Sequence, residues 1–125
     1  MFGLFRQLGR ARELRLLDEE LRAAGLHPAL VPEAVKMTMV RLMKQAGGVD
    51  RAACAAHAVL LADCLTGAEA FVELVQGAEL AEGAERRLEA AIASGDSPDA
   101  QLVLLALHAG LVDGGVMDRF ALVAD

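Results

Sequence analysis

The sequence predicts an all-α fold: a compact, irregular bundle of five to six helices forming a single domain across residues 1–125. Three observations carry that prediction. Alanine and leucine, both strong helix formers, dominate the chain. Residues that favour strands are scarce apart from valine, with one isoleucine (Ile92) and no tyrosine or tryptophan. Helix start and stop signals recur at short intervals with no long linker between them. With 125 residues, 55% of them hydrophobic, the chain can bury a core without disulfides or metal.

The first helix is expected from about Gly3 to Ala24. Gly25 follows as a C′ residue that can turn left-handed. The segment His27-Pro28-Ala-Leu-Val-Pro32 is a connector, because neither proline can donate a backbone hydrogen bond inside a helix. A second helix starts near Pro32 and ends at Gly47-Gly48. Its apolar stripe is Val35, Met39, Leu42 and Ala46. Met37, Val40 and Met43 lie off that stripe, so two sides of this helix are expected to be covered, deep in the fold or at a subunit interface.

A third helix starts after Asp50, an N-cap, and ends near Leu65. A fourth is expected from Thr66 to Ile92, opened by a Thr66–Glu69 capping box, with Gly77 and Gly83 able to kink or break it. The fifth has the clearest start, with Ser97 as N-cap, Pro98 at N1, and Asp99 where the helix dipole favours negative charge. Its run from Leu102 to Leu107 is apolar all round, so it is expected to be central beside the third helix. A short last helix spans Val116 to Val123.

Much chemistry is excluded. The sequence has no phosphate-binding G-x-x-x-x-G-K-[ST] loop, no G-x-G-x-x-G and no G-x-S-x-G elbow. It lacks C-x-x-C and H-E-x-x-H, and no glutamate stands three residues before His27, His57 or His108. No metal, cofactor or catalytic set is therefore expected. Nucleic-acid binding is not expected either, since the net charge is −6 and no basic cluster exceeds Arg86-Arg87. Residues 1–17 lack the pattern of a secretory signal, and no apolar run approaches the roughly 20 residues of a membrane span. Cys54 and Cys64 on one helix lie ~15 Å apart, too far for a disulfide. Free thiols fit a cytoplasmic protein. Abundant Ala, Arg, Leu and Gly, with two lysines and no asparagine, suggest a GC-rich bacterial genome.

Charge is uneven. Residues 1–51 carry +3 and residues 52–125 carry −9. The simplest expectation is that the two halves complement each other inside one fold. The alternatives are a polar partner surface and head-to-tail packing.

Five residues form the candidate polar site: Cys54, His57, Asp63, Cys64 and His108. Cys54, His57, Leu61 and Cys64 share one helical face. That face is either core, the favoured reading, or a thiol–imidazole site in which His57 lowers the pKa of Cys54. Asp63 sits near a helix C-terminus, where negative charge is disfavoured, and needs a partner if buried. Arg41, Lys44 and Arg86 are the expected cations. The glutamates of the fourth helix read as a solvated face, with Arg86 pairing to Glu82 and Glu85.

Residues 1–8 mix phenylalanine, leucine and arginine like a membrane-surface segment. Acidic residues follow, so docking, internal or to a second subunit, is favoured over membrane contact. The leading expectation is a non-catalytic interaction or regulatory module of a bacterial cytoplasmic protein, working as a homodimer, with a second protein as a further candidate partner. The alternative is a binder of a small apolar ligand held between helices, with Asp63, His57 and His108 as isolated polar groups.

Overall fold

A computed structural model describes residues 2–67 and 78–122. These residues form six α-helices: α1 (Phe2–Ala23), α2 (Glu33–Gln45), α3 (Arg51–Thr66), α4 (Ala78–Ser94), α5 (Pro98–His108) and α6 (Gly114–Phe120). A short 3-10 turn, Pro28–Leu30, sits between α1 and α2, and the described residues contain no strand. The chain is thus the all-α bundle that the sequence predicts.

Local signals set the helix ends. Gly25 takes φ +85°, which lets its N–H reach the Arg22 carbonyl and the Leu26 N–H reach the Leu21 carbonyl. This Schellman arrangement closes α1 and turns Leu26 into the core. The same pattern at Gly110 closes α5, with Leu111 N–H donating to the Ala106 carbonyl. Asp50 and Ser97 cap α3 and α5 as expected, accepting from Ala53 N–H at 2.8 Å and Ala100 N–H at 3.1 Å. His27 is more than a connector residue, because its Nδ1 accepts from Ala29 N–H at 3.0 Å and opens the 3-10 turn.

Helix α3 lies at the centre, packed against α1, α4 and α5. Its buried residues include Cys54, Ala58, Leu60, Leu61 and Ala62. Leu17 and Leu21 from α1, Met39 and Met43 from α2, Leu88 from α4 and Leu102 from α5 join them in one core cluster.

Three expectations change. On α2, Val35 and Met39 are buried, but Leu42 is half-buried and Ala46 exposed, while Val40 and Met43 take the interior places. The ion pairs Lys36–Asp18 and Lys44–Glu13 bracket Val40, so α1 covers that side and the buried arc is rotated toward it. On α5, Leu104 is 52% exposed and Gln101 and His108 face out, so the helix covers the core from one side instead of running through it. Thr66 is the last residue of α3, and its hydroxyl donates back to the Ala62 carbonyl at 2.7 Å. The capping box it was expected to form with Glu69, and Gly77, lie outside the described residues, and α4 passes through Gly83 unbroken. The last helix starts two residues earlier than expected, at Gly114, because the Asp113 carboxylate accepts from Gly115 N–H at 2.9 Å.

The capping assignment is testable by chemical denaturation. Ser97→Ala is expected to cost about 1 kcal/mol, because it strips the cap of α5. Thr66→Val, which keeps the shape and removes only a back-bonded hydroxyl, is expected to cost clearly less.

Candidate functional site

Arg87 ties three helices together. From α4, its Nε and Nη2 donate to the two Asp99 carboxylate oxygens of α5 at 3.1 and 2.9 Å. Its Nη1 donates to the Ala56 carbonyl of α3 at 2.7 Å. The planar guanidinium suits this fork, and a lysine ammonium would not. His57 lies near this group on the buried side of α3, where Nδ1 meets the Ala53 carbonyl at 3.1 Å. Nδ1–H therefore donates, and Nε2 is buried without a hydrogen-bond partner. Burial lowers the His57 pKa, and its own backbone bond and Asp99 only partly offset this.

The two thiols sit in surroundings that disfavour the thiolate. Burial, followed by the charges of Glu20 and Asp50, pushes Cys54 up to about 11. Burial, followed by Asp63 and Glu85, pushes Cys64 up to about 12. A nucleophilic cysteine needs the reverse, a nearby cation or helix N-terminus that lowers its pKa. His57 is not among the groups that shift Cys54. His108, the fifth candidate, is exposed at the C-terminal end of α5.

Asp63 is the most unusual polar group in the core. It is 1% exposed, and neither carboxylate oxygen has a hydrogen-bond partner. Its expected cations, Arg41, Lys44 and Arg86, are all exposed. It faces instead the Glu85 carboxyl of α4, whose Oε1 pairs with Arg119 of α6 and whose Oε2 is likewise buried without a partner. Arg119 also lies over the Phe120 ring, 4.7 Å from its centroid. Burial first, then the neighbouring Glu85 carboxyl, raise Asp63 to about 7, while Arg119 opposes the rise. Below that pH Asp63 carries a proton that an oxygen of Glu85 can accept.

Sequence reasoning singled out Asp63 but missed Glu85, Arg119 and Arg87. Only three cations, Arg86, Arg87 and Arg119, occur after residue 51. That scarcity was the available signal, because buried carboxyls in this half had few cations to draw on. No group of three or more His, Cys, Asp or Glu side chains among the described residues could hold a metal ion.

The ion pairs have a common pattern. Those among the described residues join Asp18–Lys36, Glu13–Lys44, Arg51 with Glu19 and Glu20, Arg87–Asp99 and Glu85–Arg119. Each closes within residues 1–51 or within residues 52–125, and none crosses between them. The expected complementation of the halves through ion pairs is therefore not what the described residues do. Arg12, Arg15, Arg22 and Arg41 remain exposed on one half, and Glu79, Glu82 and Glu89 on the other.

Three open recesses lie at the surface among the described residues. One, of about 490 Å³ between α1 and α2, has Leu14, Met37 and Val40 as its apolar lining and Arg41 and Lys44 at its rim. A second, of about 590 Å³, is lined mostly by charged residues, Arg12, Glu13, Asp50 and Arg51, with Leu16 and Val49. The third, of about 300 Å³ between α3 and α4, is lined by Ala55, Ala56, Val59, Gly83 and Ala84, with Glu79 and Arg87 as its charged groups. No helix among the described residues is long and apolar enough to cross a membrane.

The chain matches no family model, no curated protein and no solved structure.

Asp63 makes stability depend on pH in a defined direction. Its ordinary pKa is near 3.8 and its folded value is about 7, so the folded state binds the extra proton between them. The stability that this proton confers is full below about pH 4 and is lost as the pH rises to about 7. Asp63→Asn is expected to remove that slope and to raise the melting temperature above wild type at pH 8. Melting curves at pH 5 and pH 8 check this, and an unchanged slope would contradict it.

Proposed function

We propose that this chain is a non-catalytic interaction or regulatory module of the bacterial cytoplasm that works as a homodimer. The observation that carries the reading is the segregation of charge. The ion pairs among the described residues close within each half, and the exposed charge left over is mostly arginine on α1 and α2, with Glu33 the exception, and mostly glutamate on α4, with Arg86 the exception. Such a dipolar surface is complementary to a second copy of itself, and electrostatic complementarity of this kind speeds encounter and sets register. Thiols held in their neutral form support interaction over thiol chemistry.

A second reading rests on the recess between α3 and α4. About 300 Å³ lined mostly by alanine, valine and glycine, with Glu79 and Arg87 as its charged groups, suits a small ligand that is apolar over most of its surface.

Native mass spectrometry of the purified protein separates the two. A dimer without added mass is the expected result. A monomer carrying a few hundred extra daltons would favour the ligand binder, and a bare monomer at micromolar concentration would remove the support for self-association.

A further inference from the structure

The α1–α2 recess is apolar inside and basic at its rim. Val40 is buried, Leu14 and Met37 are half-buried, and Arg41 stands exposed with no ion pair among the described residues. Two such recesses meeting face to face would bring the two Arg41-bearing rims together, which like charge disfavours, so the recess suits an acidic occupant better than a second copy of itself.

The exposed face of α4 has that chemistry. Glu79, Glu82, Arg86 and Glu89 fall on one side of the helix at ~100° per residue, together with Ala90 and Ala93, and all six are exposed. Three carboxylates against one guanidinium leave this face net acidic, and the alanines make its far end low. A ridge of small residues can enter a recess that bulky side chains would not.

We infer that the α1–α2 recess of one copy receives the acidic face of α4 from a second copy, and that a two-fold axis repeats the contact in reverse. In a two-fold dimer a residue i that meets j on the partner requires j to meet i, so two different patches can pair twice and the assembly closes. Arg41 of each copy then faces Glu79, Glu82 and Glu89 of the other, while Lys44 stays paired with Glu13 of its own chain. Apolar burial of Met37 and Leu14 adds affinity, and charge fixes orientation. The contact presupposes the self-association proposed above and adds to it a defined pair of surfaces.

Charge reversal tests it. Arg41→Glu and Glu82→Arg both alter exposed side chains and leave the core intact, which circular dichroism checks for each variant. Sedimentation velocity at micromolar concentration reads the dimer. Each variant alone is expected to weaken self-association by about tenfold or more. An equimolar mixture of the two is expected to regain the dimer, because one of its two contacts is native and the other has both charges swapped. Raising sodium chloride from ~0.05 M to ~0.5 M is expected to weaken the wild-type dimer. A wild-type dimer that neither variant weakens would overturn these surfaces while leaving self-association standing. Failure of the mixture to recover would point to a like-on-like interface and overturn them too. A wild-type chain that stays monomeric would overturn both the surfaces and the self-association on which they rest.

Discussion

Helix α3 has almost no side turned to water. From Ala53 to its end none of its residues is exposed, and α1, α4 and α5 pack around it. Most of the structure follows from that constraint. A helix so enclosed has to be built from small and aliphatic residues, and its sequence is indeed alanine, leucine, valine and cysteine with few exceptions. Its buried polar side chains must find a partner or tend toward their neutral form: His57 uses the Ala53 carbonyl of its own helix, and Asp63 is pushed up to about 7 beside Glu85. Two of its backbone carbonyls bind surrounding segments, Ala56 accepting from Arg87 and Cys64 from the Asp113 N–H at 2.8 Å.

This demand explains where the charges go. Arg87 and Arg119 reach inward to Asp99 and Glu85, and little cation is left in the second half to neutralise the outer face of α4. In the first half, Lys36, Lys44 and Arg51 pair with carboxylates of α1 and leave other arginines outside. The uneven surface is thus a by-product of local pairing around a buried helix. A second molecule can exploit it, because unpaired charges of opposite sign sit on different faces of the same chain.

What was legible in the sequence was local. Caps at Asp50 and Ser97 and the turn at Gly25 depend on residues within a few positions of each other, and each is where the residues place it. Burial was less legible, because it depends on which neighbour covers a helix. Val40 and Met43, off the Val35–Met39–Leu42–Ala46 stripe of α2, point to a second covered side, but not to α1 as the helix that covers it. Leu104 is as apolar as its neighbours and still faces out, since α5 is covered on one side alone. The Asp63–Glu85–Arg119 arrangement joins three helices far apart in sequence, so local spacing could flag the aspartate but not its partners.

A largely enclosed α3 organises the fold, and in the proposed dimer the charges left outside on α1, α2 and α4 meet across the two copies. Amide hydrogen exchange, followed segment by segment over a range of protein concentrations, tests it most directly. The α3 amides should be among the slowest at every concentration, reflecting their burial in each single chain. Amides of α2 around Arg41 and of α4 around Glu82 should gain protection as the concentration rises. Fast exchange in α3, or protection of α2 and α4 that does not change with concentration, would contradict the account.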